Sequence, residues 1–231
     1  MRIEHTQRYI TITFDYPLRI LSSAPVNGGS RRASSIVNLK TATRDVMENS
    51  PEDLIDDFRR EKGFSENSVG LLTSADMEYA QFITVQEKGI RVLAVVTAGT
   101  SNALNIAERS DTEFSGESAS RYGTINIVVI TNCYLLDECL VSSIISITEA
   151  KTAALLDLGV KSVVSGHQAT GTGTDTVVVV SGNEKNIRYA GGHTLYGQLL
   201  GEAVYRGVKG SLLEEPTEVE RFNSIQELFQ F

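Results

Sequence analysis

The chain has 231 residues, 41% hydrophobic and 22% charged, with a formal net charge of −8 and a sequence pI near 5.0. This suits one large domain with an ordinary buried core, and the acidic balance speaks against nucleic acid or an anionic membrane as the main partner. Two cysteines, Cys133 and Cys139, are too few for a disulfide framework or a four-thiolate metal site, and three histidines, His5, His167 and His193, match no metal-ligand spacing, so no metal site is assigned.

No apolar run reaches the roughly 18–20 residues that span a bilayer, so no membrane span is expected. The polar start from Met1 to Arg8 lacks the apolar core of a signal peptide, and a cytoplasmic location follows. Tyr9–Asp15 sets Ile10, Ile12 and Phe14 at alternate positions, the period of a half-buried strand, and Pro17 is expected to end it. Leu18–Ser22 reads as a second strand in a hairpin with the first. Ser22–Ser30 is a loop, and its Asn27-Gly28-Gly29 is either a plain turn or a set of backbone N–H groups able to hold an oxyanion. Ser50, Pro51, Glu52 and Asp53 open a helix with a capping serine, a first-turn proline and acids at its positive end. Leu54, Ile55 and Phe58 give it an apolar face, and Gly63 closes it.

Val69–Met77 is a buried strand entering a polar turn. Phe82–Gln86 and Arg91–Thr97 pair across Glu87-Lys88-Gly89, the second being apolar throughout and so covered on both faces. Thr97–Asn102 is a small polar turn before Ala103–Glu108. Ser110–Arg121, rich in Ser, Glu and Thr, reads as a mobile surface loop. Thr124–Thr131 is a central strand, followed by helical spacing at Leu136, Leu140, Ile144 and Ile147. Ser146 and Glu149 have capping-box spacing, which predicts a fresh helix over Ala150–Leu158 that stops at Gly159. Strands at Lys161–Ser165 and Thr176–Ser181 flank the polar run Gly166–Asp175. Tyr189–Thr194 opens a last long helix, Thr194–Leu213, with a stripe at Leu195, Leu199, Leu200, Ala203, Val204, Val208 and Leu212. An acidic tail with a short helix follows Glu214. The pattern predicts a single layered domain over residues 1–231, α/β or α+β, with a mixed β-sheet and flanking helices.

Six small-residue segments recur at element boundaries: Ser22–Ser30, Leu72–Met77, Thr97–Ala103, Thr148–Thr152, Gly166–Asp175 and Gly191–Thr194. Loops gathered at one sheet edge would build one pocket. Ser23–Gly29, Gly70–Ala75, Val96–Asn102, Gly123–Ile127, Ile147–Lys151, Ala169–Asp175 and Tyr189–Thr194 together resemble the adenosylcobinamide amidohydrolase family. The resemblance covers about Ser22 to Lys209. It implies a corrinoid salvage enzyme that hydrolyses the amide joining aminopropanol to a corrin side chain, giving adenosylcobyric acid and 1-amino-2-propanol. The corrinoid is then the small-molecule partner, and cobalt enters only inside it rather than as a cofactor of the protein. A homo-oligomer is left open.

Amide hydrolysis needs a nucleophile, a stabilised oxyanion and a proton for the departing amine. Asp175 is a candidate base for water or a turn-capping acid. His193 is a candidate proton shuttle, its ordinary pKa lying near neutrality, or a local hydrogen-bonding residue before the helix. Glu149 and Lys151 are further catalytic candidates; two apart on a helix, they cannot share a face. Oxyanion donors are sought at Gly28–Gly29 or around Gly171–Gly173. Thr170, Thr172 or Thr174 could serve as nucleophile in place of water. Asn27, Gly28, Gly29, Thr97, Ser101, Asn102, Asn126, Asn132, Thr170, Thr172 and Thr174 are candidate contacts to the substrate. Two rivals stand beside this reading. One is a corrinoid- or nucleotide-binding protein without turnover, although neither a P-loop nor a dinucleotide fingerprint is present. The other is a different amide or ester hydrolase using Cys133 or a serine.

Overall fold

The long strand β2 (Tyr9–Ser22) is shared between two halves of the molecule. Its first half pairs with β1 (Arg2–His5), its second half with β11 (Thr176–Ser181), and β3 (Gly29–Lys40) runs along it antiparallel. The computed structural model describes residues 1–42, 45, 48–109, 123–216, 225, 228 and 229. Between β3 and the parallel strand β4 (Val69–Thr73) lies helix α1 (Pro51–Lys62). Next come the antiparallel pair β5 (Gln81–Glu87) and β6 (Ile90–Ala98), short β7 (Ala103–Leu104), central β8 (Ile125–Thr131) and short β9 (Tyr134–Leu135). Helix α2 (Asp137–Asp157), β10 (Gly171–Thr172), β11, β12 (Asn186–Ile187) and helix α3 (Leu195–Leu212) follow. The main sheet is mixed, in the order β4-β3-β2-β11-β8-β6-β5 with β1 added on β2. β8 and β11 are parallel and joined through α2, while β6 is antiparallel to β8.

The apolar runs of the central strands divide between two cores. Val92, Ala94 and Val96 of β6, Ile127 and Val129 of β8, and Val177 and Val179 of β11 face α2 and α3. The alternate residues Leu93, Val95, Val128, Ile130, Val178 and Val180 face a second core with Ile10, Ile12, Phe14 and Ile20 of β2. Strict alternation across a sheet covered on both sides explains why these strands read as continuous hydrophobic runs. The sheet curls back on itself. Val26, in the loop after β2, forms a bridge to Gly70 of β4, and Ser23 N donates to Val177 O at 2.9 Å. That loop laces β4 to β11 and closes the second core on this side.

Several expectations need correction. Pro17 does not end the first strand: β2 runs through it, and residues 14–17 bulge between the Thr13–Ser35 and Leu18–Ala33 pairs. The proline thus sits where the ladder lapses, which is where its missing N–H is tolerated. The hairpin partner of Tyr9–Asp15 is β3 rather than Leu18–Ser22. The capping spacing at Ser146 starts no helix. α2 passes through it unbroken, and the Ser146 hydroxyl donates to Ala190 O at 2.8 Å. Lys161–Ser165 is a turn, with Val163 and Val164 about half exposed. The helix that opens at Ser50 is as expected: Ser50 accepts from Asp53 N, and Gly63 takes the left-handed conformation at φ 73°. Thr194 caps α3 by accepting from Gly197 N. The loop expected at Ser110–Arg121 lies outside the described residues, as does most of the tail; within the latter, Ile225 and Phe229 are buried in the second core. Among the described residues one helix, α2, is long and apolar enough to cross a membrane by length and composition, with mean hydropathy 1.4, although charged residues such as Glu149 and Lys151 interrupt its apolar run. Here it lies on the sheet with Cys139, Leu140, Ile147 and Leu155 buried.

Candidate active site

Where the loop after β2 laces β4 to β11, a cleft of about 350 Å³ opens. It is lined by Ser23 and Pro25 of the loop, Leu72, Thr73 and Ser74 at the end of β4, Gly123 and Thr124 before β8, Thr174 to Thr176 entering β11, and Thr41 and Pro51. Apolar walls with a few convergent hydroxyls and one acid are what a small-molecule site requires.

That acid is Asp175. Its Oδ1 accepts from Ile125 N at 3.1 Å and from Thr172 Oγ1 at 2.5 Å. Its Oδ2 accepts from Thr172 N at 3.0 Å and from the Lys151 ammonium. The two side chains are 13% and 9% exposed, so this is a buried ion pair at the edge of the cleft. Gly171 makes the approach possible: a Cβ there would lie 2.5 Å from Asp175 Oδ2 and 2.7 Å from Lys151 Nζ. Helix α2 places Lys151 on its sheet-facing side and Glu149 on its solvent face, as a two-residue separation demands.

Beside the acid, Thr124 Oγ1 donates to Thr174 O at 2.9 Å and contacts Thr174 Oγ1, which also reaches Gly123 O at 3.2 Å. Behind the cleft runs a buried amide chain. Asn38 Nδ2 donates to Thr97 Oγ1 at 3.0 Å, and Asn126 Nδ2 donates to Asn38 Oδ1 and to the carbonyl of Leu72. Asn126 and Thr97 therefore support the floor of the cleft and the end of β4. Ser23, Thr73 and Thr124 lie in segments singled out in the sequence but were given no individual role there, and Asn38 lay outside all of them because it is a polar residue in an otherwise ordinary strand. Only the curl of the sheet brings them together.

The remaining candidates fall elsewhere. His193 is exposed on the turn ahead of α3 and does not line the cleft. That turn is fixed at the middle of α2 by the Ser146–Ala190 bond. Asn132 lies past the far end of β8, where it accepts from Arg91 N and donates to Gly89 O and Glu184 Oε2. Asn27 donates to the carbonyls of Glu66 and Ser68 from a left-handed backbone, φ 56°. Gly28 fits because a Cβ would strike Ala24 O at 2.3 Å, and Gly29 turns at φ 79°; both build the loop and neither lines the cleft. Thr170 Oγ1 accepts from Ile106 N. Ser101 is exposed, and Asn102 Oδ1, beside Gly123, is buried without a hydrogen-bond partner among the described residues. Cys133 and Cys139 are buried free thiols, and burial pushes Cys139 up to about 11. Among the described residues no three His, Cys, Asp or Glu side chains gather as a metal site.

The described residues thus form a mixed-sheet α/β domain with an apolar-walled cleft, bearing hydroxyls and an acid, at a strand seam. The family model described as adenosylcobinamide amidohydrolase matches residues 1–219, and the chain belongs to that family. An adenosylcobinamide amidohydrolase from Methanosarcina mazei is 34% identical over 200 residues, covering 82% of this chain and 88% of that protein. An uncharacterized protein from Methanocaldococcus jannaschii is 34% identical over 169 residues, 66% of each chain. Among solved structures, a protein from Pyrococcus horikoshii OT3 aligns with 92% of this chain and 79% of its own, at 14% identity and a TM-score of 0.45. The L-aminopeptidase D-Ala-esterase/amidase from Ochrobactrum anthropi aligns with 89% and 77%, at 11% identity and a TM-score of 0.37. Likenesses that loose carry no argument about the site.

Proposed function

We propose that this chain hydrolyses the amide of adenosylcobinamide within the seam cleft, releasing 1-amino-2-propanol and adenosylcobyric acid for corrinoid salvage. Family membership supports the reaction. The observation that carries its location is convergence: stretches remote in sequence through which the chain resembles its family, at Ser23–Pro25, Leu72–Ser74, Gly123–Thr124 and Thr174–Asp175, all line one cleft. In the reaction a water oxygen bonds to the acyl carbon, the C–N bond breaks and the nitrogen takes a proton.

Asp175 accepts four hydrogen bonds, which leaves it poorly placed to take a proton from water. The reading therefore makes it an anchoring charge. With Lys151 it fixes the Thr172–Asp175 turn and sets the potential at the edge of the cleft, where preorganised charge acts on the transition state. His193 receives no step. Two buried free thiols fit a reducing compartment, and we place the enzyme in the cytoplasm. The test is direct: purified protein is incubated with adenosylcobinamide, and aminopropanol and the cobyric acid product are quantified by chromatography. Release of both in equal amounts is expected. Folded protein that forms neither refutes the assignment.

A further inference from the structure

We propose that Thr174 and Thr124 form the acceptor site for the N–H of the scissile amide, and so define the side of the cleft on which the amine departs. The inference rests on the amidohydrolase reading above. It follows from an account of hydroxyl protons. Each threonine has one O–H hydrogen and two lone pairs. The Thr124 hydrogen is directed to Thr174 O at 2.9 Å, a carbonyl that can only accept. The Thr174 hydrogen has two acceptors within reach, Gly123 O at 3.2 Å and the Thr124 oxygen. Both hydrogens are thus spent on the protein, and what the pair offers the cleft is lone pairs. Thr174 is solvent-exposed and Thr124 is 5% exposed, so one oxygen stands open and the other backs it.

Two other hydroxyls in the lining are placed to donate. Ser23 Oγ accepts from Val177 N at 3.0 Å, and Thr73 Oγ1 on the β4 side accepts from Ala75 N at 3.0 Å. Each keeps a hydroxyl hydrogen to donate. A trans amide carries its N–H and C=O in opposite directions. With acceptors at Thr174 and Thr124 and donors at Ser23 and Thr73, the cleft holds that amide in one orientation, nitrogen toward Thr174. When the C–N bond breaks, the amine gains a hydrogen and needs more acceptors, which the same oxygens supply.

Thr174→Val and Thr124→Val keep the shape and remove the acceptor, while Thr174→Ser restores it. Losing a neutral hydrogen bond at the reacting group is expected to lower kcat about tenfold in either valine variant. Competitive inhibition by added 1-amino-2-propanol should weaken by a similar factor, and the serine variant should return to near wild type. Adenosylcobinamide binding, followed by its visible absorbance, and Tm serve as controls for the fold. Wild-type turnover and wild-type amine inhibition in both valine variants would overturn the inference alone. Absence of any amine release by the wild-type protein would overturn the amidohydrolase reading and this inference with it.

Discussion

Lys151→Met probes the buried pair most sharply. The substitution keeps the aliphatic stem that crosses the sheet-facing side of α2 and deletes the charge. Asp175 then remains 13% exposed with Ile125 N, Thr172 N and Thr172 Oγ1 as its donors. Breaking one side of a buried pair costs about 3–5 kcal/mol. Three surviving donors put this case near the lower end, about 3 kcal/mol. For a chain of this size each kcal/mol moves Tm by roughly 2–4 °C, so a fall of about 6–12 °C is expected. Asp175→Asn should cost at least as much, since it strands the ammonium. The double variant Lys151→Met/Asp175→Asn should be no worse than the poorer single variant, giving a coupling of about 3 kcal/mol or more. Urea unfolding of the four proteins measures this, and turnover in the cold, where all remain folded, measures the electrostatic role. A loss under about 1 kcal/mol for Lys151→Met, as for an exposed pair, would refute the reasoning.

Gly171→Ala should act on the same pair without changing a charge. Its Cβ would stand 2.5 Å from the carboxylate, so turnover should fall steeply, and wild-type kcat would contradict the packing. Asn132→Ala removes three N–H···O hydrogen bonds and a weak thiol one at the far end of β8 and should destabilise by roughly 2–3 kcal/mol while leaving kcat of the folded protein intact, which denaturation and steady-state assays separate. Cys139 has a folded pKa raised from 9.0 to about 11 by burial. A raised pKa contributes stability below the unfolded value and loses it as pH climbs to the folded one. Wild type should therefore weaken more than Cys139→Ala between pH 9 and 11, as chemical denaturation would reveal. The same burial predicts that thiol reagents leave native turnover unchanged over the first minutes.

Much of the scaffold was legible because its signals are local. Strand β8 announces itself by β-branched residues on both faces, α1 by Ser50, Pro51 and Gly63, and α3 by its apolar stripe and Thr194. Motif resemblance then found the family. What escaped depends on residues far apart in the chain. The alternation in β3 is blurred because Ser35 and Asn38 are polar yet buried, one against Ser68 and the other in the amide chain. Pro17 looked terminal because a bulge cannot be seen without the partner strand. Ser146 looked like a cap because its hydroxyl partner, the Ala190 carbonyl, is 44 residues away. His193 and Asn132 have suitable chemistry, but nothing local in the chain tells at which end of the sheet they emerge.

The lacing of the sheet has a mechanical consequence. Separating β8 from β11 would tear a five-residue parallel ladder, whereas parting the cleft at Val26–Gly70 and Ser23–Val177 undoes a handful of links in a surface loop. The cleft proposed for the substrate is therefore bounded on this side by fewer backbone links than the central sheet. Opening that hem would also uncover Ala24, which the loop packs into the second core.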